Sequence, residues 1–477
     1  MGLFDGKKGL FGGKPKQPKA PKQPKPPKQV KGAAPVSFTL PRGEPRAEGA
    51  ARTMEVSSGP QFPRFQAMAT DQLDRKRADR FGGTRMRLRN AFTPSQPVID
   101  RQMFSGRSEV LTSMIRSIED QRLHLVLYGE RGIGKTSLLH VLAGAAREAR
   151  YIVFYSSCGT ASDFQETFRA AAEEIPVLFH SGFSPTNTDA ERGSALASLL
   201  PPNGFSPRQF ADVCAKLTGT RVLIFLDEFD RAASPDFRRD VSELMKFLSD
   251  RSVRVQLVIA GVAADLAELL EHTPSIRRNL LAVRVPLMND VEVQGMVANG
   301  ERASGLTFER PARDLVVAMA HGSPYLASLI CHHAGLIAID RGQLTVTATD
   351  AIGALDQALQ EIEDRLARTA VNQIDRLMAE GAGPQLAAIA GVALRMGGEF
   401  NLSDLKTEMA DSDYAECRQL VEKLAGESLV LQHVDDEYRK GYCFIEEGMR
   451  PYLWLLGARR QVDASNAAKA PRRATGA

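Results

Sequence analysis

One twelve-residue stretch, GERGIGKTSLLH at 129–140, constrains this chain more than any other. Residues 129–136 match the pattern G-x-x-x-x-G-K-[ST] at every fixed position. The apolar segment LHLVLYG precedes the pattern and a helix-forming segment follows it, which is the context that the pattern requires. Its glycines let backbone N–H groups turn inward around a phosphate, and the N-terminus of the following helix attracts the same anion. The stretch therefore predicts a phosphate-binding loop between a strand and a helix.

Each position of this loop has an expected role. Lys135 is expected to reach the β- and γ-phosphates of ATP and to take part in catalysis, and the Thr136 hydroxyl is expected to hold Mg²⁺. The loop backbone and the first helical turn would supply the other contacts to the nucleotide. The predicted nucleotide-binding residues of the loop are Gly129, Glu130, Arg131, Gly132, Ile133, Gly134, Lys135, Thr136 and Ser137.

A second candidate element, RVLIFLDEFDR at 221–231, places five apolar residues directly before two carboxylates. Such a run is typical of a buried parallel strand. Asp227, at its carboxyl end, would lie beside the phosphate-binding loop and bind Mg²⁺ directly or through water. Glu228 would then polarise the attacking water. The alternative is that these acids cap the next helix, and it suits Asp230 better than the pair.

Three further apolar segments, at 151–157, 253–261 and 282–287, predict strands of the same sheet. The fold class expected is therefore α/β, a P-loop NTPase with a doubly wound parallel sheet. An amphipathic helix at 108–120 leads into its first strand. A Pro/Gly-rich excursion at 180–207 is expected to be a surface loop with a partner-binding or regulatory role.

Positive charge is concentrated at the N-terminus, where residues 1–32 hold nine Lys and one Asp. The rest of the chain is slightly negative, so its bulk charge does not indicate nucleic-acid binding. Lysines recur at every third position from Lys16 to Lys31 among prolines, and a polyproline II helix would align them along one edge. Such a strip suits nucleic acid, anionic lipid or an acidic protein, whereas the alternative is a stiff, soluble spacer. We expect residues 1–82 to form a disordered basic tail.

The location of the protein is inferred from missing signals. No apolar run approaches the ~18 residues that span a bilayer, and the N-terminus has no apolar core of a secretory signal. The five cysteines form no CxxC pair and no metal-ligand spacing, so we expect them to be reduced and mostly buried. These observations favour a cytoplasmic protein without a transmembrane segment.

The segment FSGRSEV at 104–110, the two motifs above, LVIAGVAADL and HTPSIRRNLL together resemble AAA+ ATPases of the origin-recognition initiator type. The archaeal-type and STAND regulatory ATPases are similar too. The resemblance covers about residues 98–450 and implies an ATPase core at 98–288, followed by a helical lid and connecting helices at 289–382. HGSPYLA resembles the lid's G-x-P segment, which would place Pro324 near the adenine opposite residues 103–107. The residues alone predict a helix with Pro324 in its first turn.

Turnover is expected to be slow, because parts of the family pattern are missing. Relatives carry a polar sensor after the fourth strand, commonly Asn, where this chain has Gly, Val and Ala at 261–264. Some relatives have Arg where this chain has Tyr325. Arg277 and Arg278 are candidate catalytic arginines that would act on a neighbouring copy's nucleotide in a homo-oligomer, and the alternative is a solvated helix face. This set of residues favours a slow switch over a motor.

The C-terminal region predicts three short helices, a β-hairpin and a final helix, which resemble the winged-helix domain of the initiator family. We assign this domain to 383–460 and a second disordered tail to 461–477. Its candidate recognition helix carries Arg418 and Lys423 among several carboxylates, and the hairpin turn carries Arg439. A groove-reading helix usually has a basic face, so DNA contact, protein interaction and a structural role are all open.

The sequence therefore predicts an ATP- and Mg²⁺-binding ATPase of slow turnover, acting as a regulator or assembly factor. Its candidate partners are a second copy of the chain, DNA through the winged helix and the basic tail, and an unidentified protein. The alternative is an ATP-bound scaffold that does not hydrolyse ATP and whose basic tail docks an acidic partner or a membrane surface.

Overall fold

A computed structural model describes most of the chain after residue 81. The predicted basic tail lies outside the described residues except for position 82, and so do parts of the 180–207 excursion, the hairpin turn with Arg439 and residues 470–477. The described ranges are 82–99, 101–182, 194–263, 274–427, 430–435 and 440–469.

A sheet of five parallel strands forms the centre of the first domain. The strands are β1 (His124–Tyr128), β2 (Ile152–Ser157), β3 (Val222–Asp227), β4 (Val255–Gly261) and β5 (Leu280–Arg284). Their order is β2-β3-β4-β1-β5, so β1 lies between β4 and β5, with Leu127 opposite both Ala260 and Val283. This is the predicted doubly wound sheet. The last strand begins two residues earlier than predicted and ends before Pro286, which has no N–H for a ladder hydrogen bond.

Helices cover both faces of this sheet. These helices are α2 (Ser108–Glu119), α3 (Lys135–Glu148), α4 (Phe164–Glu173), α5 (Pro207–Cys214) and α6 (Pro235–Asp250), whereas the first helix of the described chain, α1 (Gly82–Ala91), packs with the lid. Successive side chains of β3 alternate between two cores: Ile224 packs with residues of α4, α5 and α6, whereas Phe225 packs with residues of α2 and α3. The strand is therefore buried on both sides, as its apolar run predicted.

The excursion at 180–207 differs from the expected surface loop. Leu196 lies in a short 3₁₀ helix, Leu196–Leu199, and is fully buried against the sheet. Leu200 and Phe205 are almost fully buried in the same core. A single antiparallel bridge joins Ala195 to Pro176 and holds this segment in place. Residues 194–205 thus complete the core on one face of the sheet, because their apolar side chains pack on a hydrophobic surface beside α4.

A helical lid follows the sheet. Its elements are α7 (Asp290–Ser304), β6 (Thr307–Phe308), α8 (Arg310–Ala320), α9 (Pro324–Asp340), β7 (Thr345–Val346), α10 (Ala348–Glu363) and α11 (Arg368–Ala379). Three of these helices begin at polar N-caps, since the side chains of Asn289, Ser323 and Thr347 accept hydrogen bonds from backbone N–H groups three residues later. Pro324 occupies the first turn of α9, as predicted.

The helix α1 was not predicted from the sequence. Leu88 in α1 and Phe92 just after it are almost completely buried in the lid core. Phe92 lies against Gly300 of α7, where an added Cβ atom would come within 2.0 Å of the ring. The segment before the parallel sheet is therefore part of the lid, held by two apolar residues four positions apart.

The C-terminal domain has the elements expected of a winged helix. They are α12 (Gly383–Met396), β8 (Glu399–Phe400), α13 (Leu402–Glu408), α14 (Asp411–Glu427), β9 (Leu431–Asp435), β10 (Lys440–Phe444) and α15 (Met449–Lys469). The strands form a sheet in the order β8-β10-β9, with antiparallel pairing. The final helix runs to Lys469, past the predicted boundary at 460. Arg459 supports this extension through ion pairs with Asp356 and Asp463.

Among the helices in the described part of the chain, none combines the length and the apolar composition needed to cross a membrane.

Candidate functional site

The phosphate-binding loop joins the end of β1 to the start of α3. Gly129, Gly132 and Gly134 all have positive φ, at 137°, 75° and 91°. Other residues adopt such backbone conformations only with strain, so the three glycines let the chain close around the site. Gly134 is the N-cap of α3, and the free N–H groups of that helix start therefore face the cleft above the loop.

Lys135 is directed into its own loop. Its Nζ donates to the carbonyl oxygens of Gly129, at 2.8 Å, and Glu130, at 2.7 Å. Burial lowers the pKa of the Lys135 ammonium to about 8, and the carboxylates of Asp230 and Asp227 oppose this shift. A bound phosphate would give this buried cation the counter-charge that it needs.

Other residues of the loop have different surroundings. Thr136 lines the cleft, and the Arg131 side chain is exposed at its rim. Ile133 is buried in the core between the sheet and α3, so only its backbone can face a ligand. The Ser137 hydroxyl accepts a hydrogen bond from the N–H of Val98, at 3.0 Å, and thereby ties the preceding segment to α3.

Asp227 lies at the carboxyl end of β3 beside the loop, where the sequence placed it. It is 2% exposed, and both carboxylate oxygens are held. Oδ1 accepts the N–H of Glu228 at 2.9 Å, and Oδ2 accepts the Tyr155 hydroxyl at 2.8 Å. Mg²⁺ is commonly bound by one or two protein oxygens together with substrate phosphates. The Thr136 hydroxyl and the Asp227 carboxylate fit that requirement.

Glu228 lines the same cleft but is engaged elsewhere. Its backbone is left-handed, with φ at 52°, and its carboxylate forms an ion pair with Arg231 at 2.7 Å. Both side chains are about half exposed. Asp230 does not cap a helix; it accepts the N–H of Val262 at 2.8 Å and so joins the ends of β3 and β4. The described residues after β4, Val262 and Ala263, have no polar side chain.

The lid supplies the opposite wall. Pro324 and Tyr325 at the start of α9 lie against the loop, since added Cβ atoms at Gly134 and Gly132 would come within 3.6 Å and 3.2 Å of them. The Tyr325 hydroxyl accepts a hydrogen bond from Arg365 at 2.9 Å. Arg365 thus brings a guanidinium to the cleft from beyond the end of α10. Its position was not evident from the sequence.

Arg107 is a second arginine at the cleft, and the motifs predicted no role for its side chain. It is 6% exposed, and its Nη2 donates to the carbonyl of Pro286 at 2.9 Å. Burial lowers the pKa of Arg107 to about 10, opposed by the charge of Glu292. Its Nη1 lies 2.9 Å from the position of a Cβ atom built on Gly134. The 103–107 segment therefore does line the cleft, with a cation at its end.

The C-terminal domain also contacts the phosphate-binding loop. Arg450 of α15 forms an ion pair and hydrogen bond with Glu130, and the two side chains are 10% and 11% exposed. Burial raises the pKa of the Glu130 carboxyl, and Arg450 opposes that shift. Glu447, in the turn before α15, is close enough to act electrostatically on Lys135. No local pattern indicated these contacts, because they join segments about 300 positions apart.

The two candidate trans-acting arginines lie away from this cleft. Arg277 and Arg278 occupy the 3₁₀ helix Pro274–Asn279, and both are exposed. Neither arginine is among the described residues that line the cleft. Action of these arginines on the nucleotide of a neighbouring copy therefore stays a prediction.

The cleft as a whole encloses about 1130 Å³. Its walls come from the 91–107 segment, the phosphate-binding loop, the end of β3, the lid and the start of α15. Small-molecule and cofactor sites are commonly clefts of about 300–1,000 Å³ with a few converging polar groups, and this cleft is slightly larger. The arrangement can bind a polyphosphate with a divalent cation and hold a base between the lid and the N-terminal segment.

Several solved structures resemble this chain at low sequence identity. The solved structures that resemble the chain include Cdc6p from Pyrobaculum aerophilum, at 14% identity, with 79% of this chain and 98% of that one covered and a TM-score of 0.39. Orc1 of Aeropyrum pernix, solved in complex with DNA, is 15% identical over 80% and 98% of the chains, with a TM-score of 0.41. A Walker-type ATPase of Pyrococcus abyssi is 17% identical over 76% and 99%, with a TM-score of 0.42.

A search of curated protein sequences found no match. A sequence model of the family described as Novel STAND NTPase 1 matches residues 91–443, which is well over half of the chain. The matched region contains the phosphate-binding loop, Asp227, the lid and most of the C-terminal domain. The chain is therefore a P-loop NTPase and belongs to the Novel STAND NTPase 1 family.

Proposed function

We propose that this protein is a slow, ATP-controlled switch whose C-terminal domain responds to the nucleotide in the cleft. The observation that carries the proposal is the ion pair between Arg450 and Glu130, because it brings a residue of the C-terminal domain into direct contact with the phosphate-binding loop. A nucleotide that changes the loop changes the surroundings of Glu130. Nucleotide binding at the phosphate-binding loop would thereby be coupled to the docking of the C-terminal domain.

ATP is the ligand that this loop suits. Lys135 would exchange the carbonyls of Gly129 and Glu130 for phosphate oxygens, and the N-terminus of α3 would face the same anion. Thr136 and Asp227 would hold Mg²⁺, which neutralises charge on the phosphates when bound. Gly134, Pro324 and Arg107 form the wall on which the rest of the nucleotide would lie.

Slow hydrolysis follows from the state of Glu228. A general base must be within hydrogen-bonding reach of the attacking water, but the Glu228 carboxylate is paired with Arg231. It has to leave that pair before it can polarise water. The described residues after β4 also offer no side chain that could hydrogen-bond the γ-phosphate. Turnover would then wait for a rearrangement, such as the approach of Arg277 or Arg278 from a neighbouring copy.

The role as a regulator or assembly factor rests on this coupling. The partners that we propose are a second copy of the chain and a protein that binds the undocked C-terminal domain. DNA is less well supported, because both basic side chains of α14 are paired: Arg418 with Glu422 at 2.8 Å and Lys423 with Glu380 at 3.6 Å. A cytoplasmic location and the binding of an acidic surface by the lysine-rich tail stay predictions from the sequence.

The decisive experiment is ATP turnover as a function of protein concentration. We would compare the native chain, Glu228→Gln, the double variant Arg277→Ala/Arg278→Ala, and Glu243→Gln as a control on the exposed face of α6. A self-assembling switch should show specific activity that rises with concentration, is lost in Glu228→Gln and in the double variant, and is unchanged in Glu243→Gln. Specific activity independent of concentration would refute the role of the two arginines in trans.

The scaffold alternative is favoured by one observation, the Glu228–Arg231 ion pair. It predicts tight ATP binding with no turnover at any concentration. The DNA alternative is tested in the same assay by adding duplex DNA at several salt concentrations. A DNA-dependent switch should bind the duplex with different affinities in ATP and ADP, and equal affinities would exclude it.

A further inference from the structure

Tyr155 contacts the carboxylate of the predicted magnesium ligand from the neighbouring strand. It lies on β2, which pairs with β3 so that Tyr155 is opposite Phe225, two residues before Asp227. The Tyr155 hydroxyl donates to Asp227 Oδ2 at 2.8 Å. Tyr155 is not among the described residues that line the cleft, so it reaches the site only through Asp227.

The ring of Tyr155 stacks against two other rings. His140 of α3 stacks on one side, with ring centroids 4.6 Å apart and planes 9° apart. Phe225 of β3 stacks at 5.7 Å and 15°. His140 lies one helical turn after Thr136, so the stack links the helix that carries one predicted metal ligand to the strand that carries the other. The packing of the ring therefore determines the direction in which the Tyr155 hydroxyl points.

This hydrogen bond completes the support of Asp227. The N–H of Glu228 already holds Oδ1, at 2.9 Å, and Tyr155 holds Oδ2. With a donor on each oxygen the carboxylate cannot rotate freely, and a lone pair remains on each oxygen. Mg²⁺ requires nearly ideal octahedral geometry, so a fixed carboxylate loses less freedom when the ion binds. Outer partners of metal ligands commonly act in this way.

We propose that Tyr155 is a positioning residue for Mg²⁺, orienting the Asp227 carboxylate through its hydroxyl. This inference rests on the proposed nucleotide site. It concerns a residue that would touch neither nucleotide nor metal. Tyr155→Phe is the variant that tests it, because the phenyl ring keeps the stacking on His140 and Phe225 and only the hydroxyl is lost.

The chain offers a matched control. Tyr151 lies just before β2, and its hydroxyl accepts a hydrogen bond from Arg221 at 2.9 Å, at the end of the strands opposite Asp227. Tyr151→Phe therefore removes a bonded hydroxyl from the same region of the sheet without touching Asp227. A general effect of losing a phenol should appear in both variants, whereas an effect on magnesium should appear only in Tyr155→Phe.

The experiment is a magnesium titration of nucleotide binding. Fluorescent mant-ATP is titrated into the full chain in the Glu228→Gln background, first in EDTA and then at increasing Mg²⁺ concentrations. We expect Tyr155→Phe to leave the affinity in EDTA unchanged and to raise the half-maximal Mg²⁺ concentration by about 10- to 100-fold. Tyr151→Phe should match the parent in both measurements. An unchanged Mg²⁺ requirement, or an equal loss of affinity in EDTA, would overturn the proposal.

A double-variant cycle with Asp227 adds a second readout. If Tyr155 acts through Asp227, Tyr155→Phe should have no further effect on the Mg²⁺ requirement once Asp227→Asn is present. Equal effects of Tyr155→Phe in the two backgrounds would contradict the positioning role. If the parent binds no mant-ATP with or without Mg²⁺, the proposed nucleotide site itself fails, which is a separate result.

Discussion

Arg450, in the first turn of the last helix, is ion-paired with Glu130 inside the phosphate-binding loop. Both side chains are almost buried, so a charge that loses its partner has little access to water in compensation. Arg450→Ala should leave Glu130 unpaired, loosen the C-terminal domain and speed the dissociation of mant-ADP by at least about tenfold, the factor for ~1.4 kcal/mol. Stopped-flow displacement by unlabelled ADP measures this rate.

The control for this prediction lies on the same helix. Arg459 is ion-paired with Asp356 and Asp463 but does not line the cleft. Arg459→Ala should leave the dissociation rate of mant-ADP unchanged. Glu130→Gln, which removes the charge that Arg450 pairs with, should make the Arg450→Ala change smaller. A rate that is unaffected by Arg450→Ala would show that the C-terminal domain does not restrain the nucleotide.

Arg231 is expected to restrain catalysis by holding Glu228. Arg231→Ala removes the ion pair and frees the carboxylate, so ATP turnover should rise, by up to about fivefold since exposed ion pairs are weak. Steady-state phosphate release at fixed protein concentration measures it. Arg239→Ala, which removes an exposed pair with Asp236 on α6, is the control. A fall in turnover would instead assign Arg231 a direct part in hydrolysis.

Gly322 is required where the lid approaches the sheet. Its φ is 76°, and an added Cβ atom would lie 2.6 Å from the carbonyl oxygen of Met288. Gly322→Ala should therefore lower both the free energy of unfolding, by about 2 kcal/mol or more, and the affinity for mant-ATP, because α9 would shift from the cleft. Gly342 has the same φ with no atom within 4 Å of an added Cβ, so Gly342→Ala should cost only about 1 kcal/mol and leave affinity intact. Equal effects of the two substitutions would show that the contact of an added Cβ atom with the Met288 carbonyl is not the cause.

His124 should make the stability of the ATPase core depend on pH. The side chain is buried between β1, β4 and α6, where Nδ1 accepts the N–H of Leu257 at 2.9 Å and Nε2 lies 3.0 Å from the carbonyl of Met245. Burial lowers the pKa of His124 from 6.5 to about 4. As the pH falls below 6.5, the unfolded chain therefore takes up a proton that the folded chain does not.

The free energy of unfolding should consequently decrease between pH 6.5 and pH 4, by up to about 3 kcal/mol from this histidine, and should show no contribution from it above pH 7. Urea unfolding at several pH values measures the slope. His124→Gln should reduce the slope, whereas His433→Gln, on the exposed side of β9, should not. An identical slope in native and His124→Gln proteins would refute the assignment.

The residues of the site that the sequence revealed are those set by local spacing. The phosphate-binding loop and Asp227 each follow an apolar strand directly, so their position at the carboxyl edge of the sheet follows from strand direction. The sequence predicted a doubly wound sheet but not its strand order. The residues alone predicted Pro324 in the first turn of a helix, whereas its place beside the cleft was expected only from the family resemblance. The prediction of a surface loop was wrong for residues 194–205, because this segment contains Pro201, Pro202 and Gly204, which are typical of loops, among its buried apolar residues.

The residues that the sequence did not reveal depend on tertiary contacts. Tyr155 has the composition of an ordinary strand residue, and its role follows only from the pairing of β2 with β3. Arg450 shares its helix with Arg459 and Arg460, and nothing in the local sequence distinguishes the arginine that contacts the phosphate-binding loop from the other two. Helix α1 was not predicted because its buried Leu88 stands between Arg87 and Arg89, and the other buried large apolar residue, Phe92, lies after the helix. In each case the partner lies far along the chain, where periodicity carries no information.

The pair Glu130–Arg450 joins positions 320 residues apart. A ribosome adds about 5–20 residues each second, and domains fold from the N-terminus as they emerge. Tens of seconds therefore separate the synthesis of the phosphate-binding loop from that of the arginine that contacts it. During translation the cleft beside the phosphate-binding loop therefore forms before the last helix exists, so a nucleotide that entered at that stage would meet a cleft without the wall that α15 later supplies.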